Sequence, residues 1–597
     1  MHEIAVCSLC DFRVSDIDTE EWSIYNRVWK KVWKEQCVKS KEGSKPIHKI
    51  KAEKNVYVPM RDGVRLAVDI YRPDAEGKFP ALLSMSPYGK ELQAPPITPM
   101  PAGAPLLCGG AEAGDTEYLV SRGYAHIIGD VRGTCKSEGE WEGMGCKKEG
   151  EDGYDLIEWI AQQPWCDGNV GMLGISYFAI IQWPVAAEQP PHLKAIFPYD
   201  SGADYYRDLA YQGGVLSTFL YTTYIRPGAG KLVTAETLSP EELQCRLDEV
   251  RSNPDVIMYP PIRSKAENPR GAPCFVDLLL NPTDGPLYWE RSAYTKYDRI
   301  KIPAYTGSGW YAYGYCHLPG AFKHYMGLKS PKKMIIGPPT FLERPWYQYH
   351  DLVIRWFDHW LKGIDTGIMD EPPVKIFVMG ANEWRYENEW PLARTQWTKF
   401  YLRSWERLSP EPETFYSEPD CFVQPPLYMT TTVNSVKYLT LPLTEDVEVT
   451  GPIALYIHAA IDQEDTNWIV ALRDVGPDGS EIELTRGWLK ASHRAVDESE
   501  SEPWKPWHPH TNPEPVVPGE IYQYPIEIIS TSNVFKVGHR IKLEIMSLDY
   551  PGSTPLRPGL YPRLVPNHMC SSKTTLHKIY RDTEHQSYLL LPIIPKT

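Results

Sequence analysis

The chain has 597 residues, 42% hydrophobic and 23% charged, the balance of a globular protein too long to fold around one core. Its net charge of −15 argues against nucleic acid and anionic membrane surfaces as partners, because both recruit basic patches. No run approaches ~18 consecutive apolar residues, the opening residues show no basic segment leading into an apolar one, and the 12 cysteines are scattered; a cytoplasmic protein with reduced thiols, without membrane span or signal peptide, is expected. Cys7 and Cys10 make a lone CxxC, weak evidence for zinc.

In chain order, Trp22, Tyr25, Val28, Trp29 and Val32 form an apolar stripe at helical spacing over residues 18–37. "VYVPMRDGVRLAVDIYRPD" (56–74) predicts two strands around a turn at Asp62-Gly63. "FPALLSMSPY" (79–88), "YAHIIGDVRG" (124–133), "NVGMLGIS" (169–176), "LKAIFPYDS" (193–201), "IPAYTGSGWY" (302–311) and "KKMIIGP" (332–338) are short apolar runs ending in turn residues, as buried strands do. A helix is expected over 150–165, and strands alternating with helices imply a parallel sheet with right-handed crossovers. "DYYRDLAYQGGVLSTFLYTTY" predicts an aromatic helix and "PEELQCRLDEVRSN" an amphipathic one, together a helical insertion over the sheet. From about 373 strand runs follow one another, among them "VKIFVMG", "TKFYL", "IALYIHAAI", "WIVALRDV" and "RIKLEIMSL", as in a sandwich or jelly roll. The expected division is an N-terminal helical extension (1–45), an α/β core (46–201 and 299–372), a helical cap (202–298) and a β jelly-roll domain (373–597).

Ser176 stands where "GNVGMLGIS" turns from strand into helix, in a strand–Gly-x-Ser-x–helix corner, the pattern of a nucleophile elbow. Such a bend exposes the hydroxyl, and the amide of Tyr177 just beyond it is a candidate oxyanion donor. The same text also suits a plain strand-to-helix turn, and Phe178 stands where G-x-S-x-G has its second glycine.

"SMSPYGK" (84–90), "DVRGTCKSEGEW" (130–141), "DGYDLIEWIAQQPWCDGNVGMLGISY" (152–177), "RWFDHWLKGIDTGI" (355–368), "RGWLKASHR" (486–494) and "GHRIKLEI" (538–545) resemble the X-prolyl dipeptidyl-peptidase and bacterial cocaine-esterase family. The resemblance spans about residues 50 to 597. It implies an α/β fold class: an α/β-hydrolase core, a helical cap and a C-terminal jelly roll, with the substrate pocket between them. It also implies that Tyr88 donates its phenol to the oxyanion beside the Tyr177 amide.

The family places its acid in "GWYD" and its histidine in "GPxxH". This chain has "GWYA" (309–312) and "GPPTF" (337–341), so Ala312 and Phe341 occupy the two positions, and neither moves a proton. His350 and Asp351 in "WYQYHDL" are candidate replacements, as is His317 in "YGYCHLPG"; "YHDLVIRWFDHWLKG" equally predicts a helix on the sheet, with His359 structural. Asp358 and Asp365 are expected on its solvated side. Tyr205, Tyr206, Phe219, Tyr221 and Tyr224 of the cap, with Trp310, Tyr311 and Phe341, suggest a broad apolar pocket for a ring-bearing ligand, although core packing suits each as well.

No HExxH, paired CxxC, P-loop or strand-following GxGxxG occurs, so no metal or other cofactor is expected. The expected activity is that of a hydrolase acting on a reactive carbonyl or ester of a small, aromatic or polyketide-like metabolite. The alternatives are a repurposed cyclase, lyase or isomerase on the same scaffold, or a ligand-binding protein without catalysis. The expected partner is a small molecule, and the three-domain layout is compatible with a homodimer.

Overall fold

The computed structural model describes residues 42–96, 112–218, 230–310, 316–339, 347–430, 432–549 and 568–596. The helix expected over 18–37 therefore lies outside the described residues, as do Cys7, Cys10, Phe219, Tyr221, Tyr224, Tyr311, Ala312 and Phe341. Residues from Gly43 onward form one unit.

Ten strands make the first sheet: β1 (Ile50–Pro59), β2 (Arg65–Pro73), β3 (Phe79–Ser86), β4 (Ala125–Asp130), β5 (Cys166–Ile175), β6 (Leu193–Tyr199), β7 (Ala304–Gly309), β8 (Lys332–Gly337), β9 (Val374–Val378) and β10 (Glu383–Glu387). Their spatial order is β1-β2-β4-β3-β5-β6-β7-β8-β9-β10. The run from β4 to β9 is parallel, and antiparallel strands close both edges. β3 to β8 are almost wholly buried, which explains their unbroken apolar character: each is covered on both faces.

One face carries α1 (Thr116–Ser121) and α7 (His350–Lys362). The other carries α2 (Lys147–Ala161), α3 (Tyr177–Ile180), α4 (Gln182–Ala187) and the cap. The cap's α5 (Pro240–Ser252) begins with a reciprocal capping box between Ser239 and Glu242. α6 (Leu318–Gly327) lies between β7 and β8 in the chain.

Three expectations are corrected here. "VKIFVMG" belongs to the first sheet as β9, parallel to β8, rather than to the C-terminal domain. The aromatic helix predicted from Asp204 onward stops at Ala210 after one π-helical stretch, Tyr205–Ala210. Gly213 and Gly214, both with positive φ (56° and 82°), then turn a two-residue hairpin; a Cβ on Gly213 would lie 2.0 Å from the Trp488 carbonyl oxygen. Finally, Asp358 is not solvated. Its side chain is fully buried and accepts from Tyr124 Oη (2.6 Å), Ser44 N (2.6 Å) and Ser44 Oγ (2.8 Å), with Lys362 Nζ at 2.9 Å. Asp358→Ala would take the counter-charge from the largely buried Lys362 ammonium, leaving it the Ser44 hydroxyl and the Arg122 carbonyl, and would remove the acceptor of three donors, so a loss of about 3–5 kcal/mol in denaturant unfolding is expected.

The C-terminal region forms an eleven-stranded antiparallel-dominated sheet around an apolar core that includes Leu455, Trp468, Ile526, Leu543 and Leu589 and runs on into Phe322 of α6, Met334 of β8 and Val374 of β9. Arg207, in the π-helical stretch, joins three parts of the chain. Its guanidinium donates to Asp204 (3.0 Å), to Asp284 of the cap (2.7 Å) and to the carbonyls of His508 (2.8 Å) and Pro509 (3.1 Å), and it lies 4.1 Å from the Trp507 ring centroid.

Candidate active site

β5 ends at Ile175, and Ser176 bends the chain with φ 58° and ψ −119°, a region that side-chain-bearing residues rarely occupy. The strain is held from both sides. Ser176 N donates to the Tyr199 carbonyl at the end of β6 (3.1 Å), while its own carbonyl accepts from Ala179 and Ile180 (2.9 Å each). The absent second glycine has a steric account. A Cβ at Gly174 would stand 2.1 Å from Phe178 Cβ, so the first glycine alone clears the crossing of strand and helix. Phe178 then packs in a small cluster with Tyr71, Ala113, Val120 and Ile128.

Ser176 Oγ lies 3.4 Å from His317 Nε2. Both residues are about 2% exposed or less. His317 precedes α6, and the first turn of α6 rests on the end of β6: a Cβ on Gly320 would lie 2.0 Å from the Ser201 carbonyl oxygen. Burial pushes the imidazole down to about 3, so it is neutral near pH 7 and can accept a proton. The separation is long for a hydrogen bond, in the range in which serine–base pairs stand before substrate tightens them.

His350 and Asp351 are placed differently from expectation. The His350 ring stacks on Tyr118 of α1 with centroids 4.0 Å apart, and its Nε2 is 3.5 Å from Asp115. Asp351 is exposed on the first turn of α7. The structure thus brings His317, and not His350, to the serine. Chain order alone could not rank them, since each follows a strand of the same sheet.

Tyr88 stands beside the elbow. Its ring centroid is 5.8 Å from that of Tyr177 and 6.2 Å from that of Phe178, both edge-on, and it is half-buried. The turn that carries it is fixed by its neighbours. Tyr88 N donates to Ser86 Oγ (3.1 Å), Gly89 has φ 95°, and Lys90 N donates to Asp130 Oδ1 (2.7 Å). The Lys90 ammonium, fully buried, ion-pairs with the equally buried Asp69 at 2.7 Å. Tyr177 is anchored from behind: its phenol donates to Glu149 and accepts from Trp141 Nε1 (3.1 Å). Burial raises the Glu149 carboxyl to about 7, against the hydrogen bonds from Tyr177, Gly145 and Trp141.

The expected pocket aromatics mostly serve packing. Trp310 is buried in the C-terminal core, its indole donating to the Phe377 carbonyl (2.6 Å). Tyr206 is wholly buried, stacked on Tyr211 at 5.1 Å and donating to the Pro282 carbonyl. Tyr205 lies 6.0 Å from Tyr288, with 9% exposure. A buried aromatic that spends its polar atom on backbone is a core residue.

A serine on the bend after the central parallel strand, facing an imidazole, under a helical insertion and followed by a β domain, defines an α/β-hydrolase-fold enzyme of the serine type. The model for the X-Pro dipeptidyl-peptidase S15 family matches residues 62–342, and that for the X-Pro dipeptidyl-peptidase C-terminal non-catalytic domain matches residues 366–590. The cocaine esterase of Rhodococcus is 30% identical over 600 residues, covering 91% of this chain and 98% of that protein. A CocE/NonD family hydrolase from Staphylococcus aureus superposes with a TM-score of 0.71 at 24% identity, over 91% of this chain and 94% of that one. An aminopeptidase from a marine-sediment Thaumarchaeota archaeon does so with a TM-score of 0.70 at 19% identity, over 92% and 97%. The chain belongs to the X-Pro dipeptidyl-peptidase and cocaine-esterase family of serine hydrolases. Among the described residues no helix is long and apolar enough to cross a membrane.

Proposed function

We propose that this protein hydrolyses an ester or similarly activated acyl bond of a small molecule, with Ser176 as nucleophile and His317 as base. The observation that carries the reading is the 3.4 Å approach of His317 Nε2 to Ser176 Oγ at a strained elbow. In this reading Ser176 Oγ attacks the carbonyl carbon while its proton passes to His317 Nε2. The oxyanion is held by the Tyr88 phenol and the Tyr177 amide, and the imidazolium returns the proton to the leaving oxygen. Water then repeats the sequence on the acyl-enzyme. An ester suits the site because a relative that matches nearly the whole chain is an esterase by name.

The test is covalent labelling with a fluorophosphonate. A stoichiometric adduct on Ser176 in the wild type, absent in His317→Ala, is expected; an unlabelled wild type overturns the reading and leaves the non-hydrolytic alternatives. Tyr88→Phe should lower kcat on a p-nitrophenyl ester by about 10²–10³-fold with little change in KM, because the phenol meets charge that exists only in the transition state.

A further inference from the structure

Glu149 is the third residue of α2 and is 2% exposed, a carboxyl taken almost wholly out of water. The three groups that donate to it are neutral. The Tyr177 phenol and Trp141 Nε1 (3.3 Å) meet Oε1, and Gly145 N meets Oε2 (2.8 Å). Trp141 Nε1 also donates to the Tyr177 phenol oxygen (3.1 Å), so indole, phenol and carboxyl close a triangle of hydrogen bonds. The loop that carries Trp141 and Gly145 is held in turn by the cap: the Trp141 carbonyl accepts from Lys231 N (3.0 Å), and the Glu142 carbonyl accepts from Arg291 Nη2 (2.9 Å). Tyr177 begins α3 directly after Ser176, and its ring is the surface on which the Tyr88 ring rests edge-on. One carboxyl therefore holds, through one side chain, both groups assigned above to the oxyanion. A buried carboxyl with only neutral donors costs stability that apolar side chains of the same volume would not.

We propose that Glu149 is the positioning residue of the oxyanion site: by fixing the Tyr177 phenol it sets the direction of the Tyr177 amide and the resting place of the Tyr88 ring. The inference rests on the roles given above to Ser176, Tyr88 and Tyr177. Glu149 itself touches neither substrate nor reacting atoms and moves no proton. Its effect is geometric, and the scale is set by the cost of misplacing a catalytic donor, about 10²-fold for a shift of about 1 Å. The ionisable groups that face it are the Tyr177 phenol, Asp152 of the same helix, the Cys146 thiol and, from the cap, the Cys274 thiol; burial raises all four. The Glu149 carboxyl, raised by burial to about 7, keeps a carbonyl oxygen as acceptor with or without its proton, so the anchor on Tyr177 holds on both sides of neutrality.

The test compares wild type, Glu149→Met, Glu149→Gln, Tyr177→Phe and the double variant Glu149→Met/Tyr177→Phe in fluorophosphonate labelling and p-nitrophenyl ester hydrolysis, with melting temperatures alongside. Glu149→Met removes the acceptor at nearly constant volume; its kcat and labelling rate should fall by about 10–10²-fold with KM changed less than about threefold. Glu149→Gln keeps an oxygen where the Tyr177 and Trp141 donors converge, and should recover most of that loss. The double variant replaces both partners by apolar groups, so its melting temperature should return toward that of the wild type while kcat stays at least about tenfold down. In a Tyr88→Phe background Glu149→Met should cost less than about threefold, because both changes act on the same oxyanion. If Glu149→Met fails to fold, the double variant carries the test alone. A double variant that regains wild-type kcat together with its stability makes Glu149 a packing residue and refutes the proposal, as does Glu149→Met within twofold of wild type; either result leaves a labelled Ser176 untouched. An unlabelled wild type removes both readings.

Discussion

Ser176→Ala is expected to lose about 10⁴–10⁶-fold in kcat/KM and all fluorophosphonate labelling while keeping the native fold, because in the proposed mechanism the hydroxyl forms the acyl bond that every later step uses. The elbow geometry sharpens the test. Ser176 sits on the bend with φ 58° and ψ −119°, a conformation costing on the order of 1–3 kcal/mol for a residue with a Cβ. Alanine keeps that cost, whereas glycine does not. Ser176→Gly should therefore be as inactive as Ser176→Ala yet unfold at higher denaturant concentration, a divergence that calorimetry and activity measured together would reveal. Equal stability of the two variants would mean that the bend is not strained in solution.

His317→Ala should cost about 10³–10⁵-fold in kcat, and the pH profile of the wild type should identify its base. Protonation at Nε2 removes the lone pair that accepts the serine proton, so activity is lost as pH falls through the imidazole pKa. Burial holds that value below the ordinary 6.5, toward 3, and the loss is displaced to lower pH with it. The acid limb of kcat/KM should consequently lie below the usual histidine region, with activity nearly flat between pH 8 and about pH 6. His350, partly solvated and beside Asp115, should behave otherwise: His350→Ala is expected to retain activity within about threefold.

Much of the framework was legible in the residue pattern, since strands buried on both faces are continuous apolar runs and helices carry a stripe. What misled was information that such patterns do not hold. "VKIFVMG" is apolar in either sheet, and only its pairing with β8 decides the matter. The aromatic spacing after Asp204 suits a helix, yet the adjacent Gly213 and Gly214 carried the turn signal and outweighed it. Asp358 shares a helix face with Ile354 and Leu361, four and three residues away, so its burial was readable from the same stripe. At the site, the elbow and the Tyr88 turn were visible as motifs. The histidine beside the serine was not, because a loop's sequence does not say which side chain it folds inward.

Arg207 places a limit on how the molecule can be dissected. Its guanidinium is shared by a carboxylate of its own segment, one from the cap and two main-chain oxygens contributed some three hundred residues later. Cutting the chain ahead of the β domain would leave a buried cation missing half its acceptors and without the Trp507 ring that lies over it. The catalytic half on its own is thus a poor candidate for minimisation, and chimeras with relatives should exchange this arginine's whole set of acceptors together or leave all of them in place.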